Sequence, residues 1–354
     1  MTAPEPRRVL IATHSATSAS GVDLYTRDLA LALLRRGWQP VVYTTILGAV
    51  AEELRQATIP VTNDITSIAA PPDVIHGQHH LETLTALARF PGVPALFVCH
   101  DGLTWHSTPP RTPRIGAYAA VDRNCRDRMM LEHGIAEVRI VPNAVDLERF
   151  RRRDALPARP ARALVFSNAA LDDSIARACS ARGIALDVVG KAAGNAIDHP
   201  EEILGNYDLV FGKARCALEA AATGAAVIVC DAGGLAGLIT TRDLDAMREL
   251  NFGVRLLQRP ITEETIGAEI DRYDADDAAK VVDAIRATAG VDLLAEQFIE
   301  LYDELRVNPT SPEGDLRAIA DSLSHLSKQI QLLHPANASL PERVLRRLHR
   351  LMKR

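Results

Sequence analysis

The chain has 354 residues, of which 47% are hydrophobic and 24% charged, and its formal net charge at pH 7 is -5. This length is too great for one compact core and predicts two domains of ordinary size. The composition excludes a disordered chain, and the negative charge argues against nucleic acid as a partner. No apolar run approaches the roughly 20 residues that a membrane-spanning helix needs, and none near the start resembles a secretory signal. The five cysteines form no CxxC pair, so we expect reduced thiols and a cytoplasmic protein.

Short apolar runs alternate with amphipathic segments through the first half of the chain. Residues 9–13 predict a strand, and apolar residues recur at helical spacing from Val22 until Gly37, which stands where a helix-ending glycine belongs. Residues 41–44 predict a second strand, which completes a βαβ unit. We predict further strands at 73–76, 95–99, 118–121 and 138–141, and a helix at 123–133.

The second half repeats this alternation after a linker. Arginines and prolines crowd residues 143–162, which is typical of a connection between domains. We predict strands beyond it at 163–167, 185–189, 208–211 and 226–230, and helices at 173–182 and 214–222. The predicted fold class is therefore α/β, with two Rossmann-like domains facing each other across a cleft and a C-terminal helical tail. The predicted boundaries are 1–150 for the first domain, 151–290 for the second, 291–306 for a closing helix and 307–354 for the tail.

The tail carries two amphipathic segments. Between 315 and 334 apolar residues recur at intervals of three and four, which predicts either self-association or packing on the second domain. The members of this seam are Leu316, Ile319, Leu323, Leu326, Ile330 and Leu333. Residues 341–354 hold six basic residues and one acid, a net charge of +5, with apolar residues on one side. This pattern predicts either peripheral contact with an anionic membrane surface or a solvated terminus.

Polar residues at predicted strand ends form the first group of candidate site residues. The hydroxyl-rich loop before Gly21 leads into a helix N-terminus, which suits an anion or a sugar hydroxyl but also fits an ordinary turn. His100 and Asp101 directly follow a strand, so His100 either faces the cleft or is a core histidine. His76 and His79 follow another strand. No carboxylate or cysteine pattern completes a metal site around them, so we predict no metal.

The densest pattern lies between residues 211 and 234. Glu219 lies on a predicted helix of small residues, where its carboxylate could take a ribose diol in two hydrogen bonds. Lys213 and Arg215 precede it and could neutralise phosphate, and the amides of Gly233 and Gly234 could bind a phosphate oxygen. The same residues also fit a solvated helix start followed by a glycine turn. Their coincidence at strand ends favours a ligand site.

In order and spacing these motifs resemble family 4 of the retaining glycosyltransferases, which have the two-domain GT-B fold. The segments that carry the resemblance are Ser18–Val22, Asp73–His79, Val98–Asp101, Val141–Phe150, Leu218–Gly224, Gly233–Gly234 and Phe298–Leu305. The resemblance implies transfer of a sugar from a nucleoside-diphosphate sugar to an acceptor with retained anomeric configuration. It also implies that no bound metal or other cofactor is needed.

The resemblance implies roles for individual residues of the donor site. Glu219 matches the residue that holds the ribose, and Gly233 and Gly234 match the loop near the diphosphate. His100 matches a histidine near the donor sugar, and Gly21 matches the glycine of the first domain that meets donor and acceptor.

Two departures from the family pattern concern charge. Phe211 stands where the family usually has a first glutamate, and residues 166–170 lack the usual arginine and lysine. We infer that Lys213 and Arg215 supply the phosphate-binding charge from another loop. The alternative is that catalysis has been lost and only binding remains.

The candidate residues have three predicted roles, which are catalysis, donor binding and acceptor binding. His100 and Lys213 are predicted to act in catalysis, with Arg215 among the donor-binding residues. His76, His79 and Asp101 are predicted to lie on the acceptor side.

Three functions fit these predictions. The first is a metal-independent hexosyltransferase that uses a glycan or lipid-linked acceptor in bacterial surface-polysaccharide assembly, either in the cytoplasm or at the inner face of the membrane. The second is a non-catalytic relative that binds a nucleotide sugar or glycan as a partner subunit. The third is a nucleotide-sugar epimerase, which would need carboxylates in the cleft for proton transfer.

Overall fold

The computed structural model describes residues 7–17, 20–169, 173–307 and 315–333. Within these ranges the chain forms two β-sheets, one in each half of the sequence. Helices connect the parallel strands of both sheets, which is the architecture of α/β domains. The predicted fold class is therefore confirmed.

The first sheet has seven parallel strands in the order β3-β2-β1-β4-β5-β6-β7. The strands are β1 (Arg8–Ala16), β2 (Gln39–Leu47), β3 (Val61–Thr62), β4 (Val74–Gly77), β5 (Ala95–Cys99), β6 (Ile115–Ala120) and β7 (Arg139–Ile140). The helices of this half are α1 (Gly21–Arg35), α2 (Ala49–Gln56), α3 (His80–Arg89) and α4 (Arg123–Leu131). Chain order reverses between β1 and β4, so a crevice opens at their carboxyl ends, where such sheets bind ligands.

Helix α1 shows how local sequence sets the limits of an element. The side chain of Ser20 accepts a hydrogen bond from the backbone amide of Asp23 at 3.2 Å, and this cap begins the helix. Beyond the helix the chain turns at Gly37, whose φ of +78° is a left-handed conformation that glycine adopts without strain. The predicted position of the helix-ending glycine is confirmed.

The second sheet has five strands in the order β12-β11-β10-β8-β9. The strands are β8 (Arg162–Phe166), β9 (Ala185–Val189), β10 (Leu209–Gly212), β11 (Ala226–Asp231) and β12 (Gly234–Leu238). The helices are α5 (Ser174–Ser180), α6 (Ala214–Thr223), α7 (Leu244–Glu249), α8 (Glu263–Ile270) and α9 (Ala275–Thr288). All pairs are parallel except β11 with β12. Chain order reverses between β8 and β10, which places a second crevice at their carboxyl ends.

Strand β12 differs from the predicted glycine loop after residue 230. Residues 231–234 form a tight turn, and Gly234 then pairs with Asp231 as the first residue of an antiparallel strand. A run such as Gly-Leu-Ala-Gly-Leu has too little strand propensity to predict a strand on its own. Pairing with the buried strand β11 supplies the stability that the residues themselves lack.

Helix α10 (Val291–Val307) follows the second sheet in sequence but packs on the first. Its apolar stripe joins the hydrophobic core of the first sheet, and its fully buried members are Ala295, Phe298 and Tyr302. The aromatic ring of Phe298 contacts the imidazole of His76 edge-on, with ring centroids 4.7 Å apart. Helix α10 thus connects the end of the second half to the first sheet.

Helix α11 (Asp315–Leu333) lies against α3 of the first half, not on the second domain as one prediction had it. Ile319 packs against the first core, whereas Leu316 and Leu323 of the same seam are 84% and 60% exposed. Self-association through this helix stays a prediction. Residues 341–354 lie outside the described residues, and no described helix is both long and apolar enough to cross a bilayer.

Candidate functional site

Three polar side chains meet where β8, β10 and β11 end. Ser167 follows β8, Lys213 follows β10, and Asp231 ends β11. The hydroxyl of Ser167 donates to Asp231 Oδ1 at 3.0 Å, and Lys213 Nζ forms an ion pair with Asp231 Oδ2. Burial would raise the pKa of Asp231, but the hydrogen bonds and charge of its partners outweigh burial and lower it. The site therefore holds an ionised carboxylate beside one cation.

Helix α6 begins at this cluster. Lys213 is its N-cap residue, and Ala214 has a φ of +48°, which is unusual for a residue other than glycine. The amide of Ala214 donates to the carbonyl oxygen of Phe252 at 2.9 Å. The next amides, of Arg215 and Cys216, have no acceptor within a helix of ordinary geometry. A helix start with such amides and a lysine favours an anionic ligand.

Glu219 lies inside the same helix and is 3% exposed. Arg215 Nε donates to Glu219 Oε1 at 2.5 Å, and Arg215 Nη2 pairs with Asp28 Oδ2 on α1. Burial raises the pKa of Glu219, and the opposing effect of Arg215 does not cancel it. Arg215 therefore neutralises two buried carboxylates, which differs from the prediction that it neutralises phosphate.

The two glycines after β11 also differ from the prediction. Gly233 is exposed in the tight turn, while Gly234 is buried with a φ of +142°. A Cβ atom at Gly234 would stand 2.8 Å from the carbonyl oxygens of Leu257 and Arg259. Gly234 is thus needed for close strand packing, and Gly233 remains the one of the two that reaches solvent near Asp231.

The hydroxyl-rich loop before Gly21 is tied to one carboxylate. Asp23 is fully buried and accepts hydrogen bonds from the hydroxyls of Ser15, Thr17 and Ser20 at 2.6, 2.6 and 2.9 Å. These hydroxyls hold the loop in place. Gly21 itself is exposed, and a Cβ atom there would meet nothing within 4 Å, so the structure leaves space beside it.

His79 lies at the crevice of the first sheet, where β1 and β4 end. The backbone amide of His14 donates to His79 Nδ1 at 2.9 Å, so the proton of the neutral ring is assigned to Nε2. His79 is buried, and this burial lowers its pKa to about 4. The ring is therefore neutral at physiological pH.

A second imidazole at this crevice is paired with a carboxylate. His14 Nδ1 stands 3.2 Å from Glu82 Oε1, and the hydroxyl of Thr45 also donates to that oxygen at 3.2 Å. Glu82 is buried, whereas His14 is half-buried and its ring lies 4.7 Å from that of His106. Sequence reasoning missed this pair. The signal was present, because Glu82 lies in the first turn of the helix that follows β4.

Of the remaining predicted residues, His76 lies in the core, His100 is half-buried, and Asp101 binds backbone amides. His76 is fully buried, its Nδ1 contacts the hydroxyl of Tyr302 at 2.7 Å, and burial lowers its pKa to about 3. The ring of His100 meets that of Tyr25 edge-on at 4.5 Å, and burial lowers the pKa of His100 well below its usual value. Asp101 accepts hydrogen bonds from the amides of Leu103 and Thr104 and so shapes a loop. A core position for His76 does not fit its predicted acceptor role.

The two halves contact each other through α1 and α6. Asp28 on α1 pairs with Arg215 on α6, and Arg149 in the linker lies 3.8 Å from the same carboxylate. A more exposed pair, Arg255 with Asp127, also joins the halves at 2.6 Å. Within the described part of the chain no three histidine, cysteine or acidic side chains are grouped to hold a metal ion.

Comparison with known proteins agrees with this architecture. Residues 19–149 match the family described as Glycosyltransferase Family 4. A glycosyltransferase from Rickettsia africae has a similar fold, with a TM-score of 0.61 and 14% identity over 85% of this chain and 99% of that one. HepE from Anabaena, solved in complex with UDP and glucose, gives a TM-score of 0.58 and 16% identity over 84% of this chain and all of that one. No curated protein matches the sequence.

The fold is therefore that of the GT-B glycosyltransferases. Within the first domain, residues 19–149 are similar to Glycosyltransferase Family 4.

Proposed function

We propose that this protein is a metal-independent hexosyltransferase that moves a sugar from a nucleoside-diphosphate sugar to a glycan or lipid-linked acceptor with retention of configuration. The observation that carries the proposal is the position of Lys213 at the start of α6 and of Glu219 within that helix. Lys213 caps α6 and Glu219 follows six residues later, about 9 Å along the helix axis. A ribose and the diphosphate attached to it can bridge a distance of this size.

On the donor side, Glu219 offers Oε2 to the ribose hydroxyls, because Arg215 occupies only Oε1. The diphosphate then lies at the start of α6, where helix amides and Lys213 face it. Lys213 leaves Asp231 for the phosphate, since a diphosphate attracts an ammonium more strongly than one carboxylate does. The negative charge that develops on the leaving diphosphate is stabilised by these groups.

On the acceptor side, the crevice of the first sheet presents His79 and the pair of His14 with Glu82. Imidazole and carboxylate groups suit the hydroxyls of a sugar, and Trp105, which is 50% exposed, lies against His106 of the same cluster. With retention, the acceptor hydroxyl attacks on the face that the diphosphate leaves, and a phosphate oxygen takes its proton. No protein nucleophile is then required.

We further propose a place in bacterial surface-polysaccharide assembly, in the cytoplasm or at the inner face of the membrane. The basic segment 341–354 supports this, because its charge of +5 would attract an anionic lipid surface. A relative of the same fold was solved with UDP-glucose, so UDP-sugars are the donors to test first.

The decisive experiment measures nucleotide binding and then turnover. UDP, GDP and ADP are compared for the rise in melting temperature that each produces, because a ligand that binds only the folded state stabilises it. Release of nucleoside diphosphate from the matching sugar is then followed with and without a glycan acceptor. Release that requires an acceptor supports transfer, whereas epimer formation without an acceptor would identify an epimerase.

Lys213→Ala tests the proposed phosphate contact. We expect nucleoside-diphosphate affinity to fall roughly 10- to 100-fold, the effect of losing one hydrogen bond to a charged group. The matched control is Lys280→Ala, which removes a lysine from the exposed surface of α9 and should leave affinity unchanged. Equal affinity in both variants would remove Lys213 from the donor site.

A non-catalytic nucleotide-sugar or glycan-binding subunit is the second candidate function. The observation that favours it is the pairing of Arg215 with two carboxylates, which leaves Lys213 as the one cation of the predicted pair near the helix start. Tight binding of a nucleotide sugar without release of diphosphate, whatever the acceptor, is the result that this function predicts.

A further inference from the structure

Asp28 is a buried carboxylate of the first domain that accepts a hydrogen bond from an arginine of the second domain. It lies on α1, is 3% exposed, and its Oδ1 accepts a hydrogen bond from Arg27 Nε at 2.9 Å. Its Oδ2 accepts from Arg215 Nη2, which belongs to α6 on the other sheet. Burial would raise the pKa of Asp28, but the charges of Arg215 and Arg27 outweigh burial and lower it. Asp28 is therefore ionised and needs both arginines.

Arg215 uses two nitrogens of its guanidinium to bind two different carboxylates. Nη2 reaches Asp28 across the domain boundary, and Nε reaches Glu219 Oε1 on its own helix, four residues away. No described side chain donates to Glu219 Oε2, which leaves that oxygen for a ligand. The guanidinium is planar and its N–H groups point in fixed directions, so its position on Asp28 also fixes its position on Glu219.

We propose that Asp28 and Arg215 are positioning residues. Through them, the binding of the donor ribose by Glu219 depends on contact between the two domains. While Asp28 holds Nη2, Arg215 takes only one oxygen of Glu219. Without that contact Nη2 is free, and an arginine and a carboxylate then prefer the bidentate pair in which both oxygens are occupied. That pair would close Oε2 to the ribose. This inference rests on the proposed function, because it takes Glu219 as the ribose ligand.

The consequence is that donor binding and domain contact favour each other. A donor bound at Glu219 Oε2 prevents the bidentate pair of Arg215 with Glu219. Arg215 Nη2 then donates to Asp28 again. Asp28 would touch no donor atom, yet its loss would weaken donor binding. The chemistry of the bound complex would change little.

The test measures UDP affinity by calorimetry, together with KM for the UDP-sugar and kcat, in Asp28→Asn. We expect the dissociation constant for UDP and the KM to rise about tenfold or more, with kcat changed much less. Asp127→Asn is the matched control, since it breaks a different ion pair between the domains, with Arg255, and should leave UDP affinity unchanged. Equal UDP affinity in the wild type and Asp28→Asn would overturn the inference.

A double variant separates positioning from mere packing. Asp28→Asn combined with Arg215→Gln removes the side chain that would block Glu219, so we expect it to bind UDP better than Asp28→Asn alone. If Asp28→Asn does not fold, Arg215→Gln and the double variant carry the test and should bind UDP equally, because Asp28 acts only through Arg215. A clear difference between those two would contradict the proposal.

The wild type separates this inference from the proposed function. A wild-type protein that binds no nucleoside diphosphate overturns the proposed function and this inference with it. Binding in the wild type with no effect of Asp28→Asn overturns the inference alone.

Discussion

The histidines at the carboxyl edge of the first sheet differ in chemistry because they differ in burial. Burial lowers the pKa of His79 to about 4 and that of His76 to about 3, so both rings are neutral. His14 is half-buried, and its Nδ1 lies 3.2 Å from a carboxylate oxygen of the buried Glu82. A histidine held in this way keeps a fixed orientation while its other nitrogen can meet a substrate.

We predict that His14→Asn lowers sugar transfer roughly 10- to 100-fold without changing UDP affinity, because the lost hydrogen bond serves the acceptor. Glu82→Gln should have a smaller effect in the same direction, since it leaves the ring but loosens its orientation. The measurement compares transfer rate with UDP affinity in each variant. His133→Asn, which removes a histidine outside this cluster, is the control. Unchanged transfer in His14→Asn would exclude His14 from the acceptor site.

At the scale of elements, α10 shows that sequence order and packing order differ. The helix follows the second sheet, yet Phe298 is fully buried in the core of the first, against His76. Because α10 continues the chain of the second half and packs on the first, its attachment limits how far the second domain can move from the first. The packing contacts that stabilise α10 are therefore made with the first domain, although the helix directly follows the second domain in sequence.

We predict that Phe298→Ala lowers the free energy of unfolding by about 3–5 kcal/mol, the usual cost of removing a buried phenyl ring. Leu293→Ala in the same helix should cost about 1 kcal/mol or less, because that side chain is 39% exposed. Urea denaturation of both variants checks the difference. Similar losses would mean that α10 is not docked on the first core.

At the scale of the whole molecule, buried neutral histidines make stability depend on pH. The unfolded chain protonates His76 near its ordinary pKa of 6.5, whereas the folded protein resists protonation until about pH 3. The unfolded state therefore binds more protons below pH 6.5, and stability falls as pH falls from 6.5 towards 3. His79 and His100 act in the same direction because their pKa values are also lowered. The lowered pKa of Asp28 acts in the same direction, but only as pH falls to its ordinary value of 3.8 and below.

We predict that His76→Gln makes stability less sensitive to acid. Between pH 7 and 5 the wild type should lose about 2 kcal/mol more than the variant, because each unit of pKa difference corresponds to about 1.4 kcal/mol. The measurement is the free energy of unfolding in urea at pH 7 and pH 5 for both proteins. An equal loss in the two proteins would show that His76 is protonated as easily in the folded state as in the unfolded one.

Much of the fold is readable from the sequence because it depends on local patterns. The apolar runs at 95–99 and 185–189 coincide with β5 and β9, and Gly37 ends a helix turn as its position indicates. Hydrophobic periodicity and turn residues involve only a few neighbouring positions. Strands and helix ends can therefore be predicted from them without knowledge of the rest of the chain. The placement of Lys213 and Glu219 at and beyond a strand end follows from the same patterns.

The contacts that the candidate residues make were decided only by the tertiary structure. Arg215 precedes Glu219 by four residues, but its second partner, Asp28, is 187 residues away on the other domain. His14 pairs with Glu82 across 68 residues, and Gly234 is required because the chain near Leu257 packs against it. Such pairings depend on which strands are neighbours and on how the domains contact each other. Neither can be predicted from a local sequence pattern. The sequence by itself therefore determined the class of fold and the sheet edges at which the candidate residues lie, whereas long-range packing decided which of the charged residues at those edges are paired with each other.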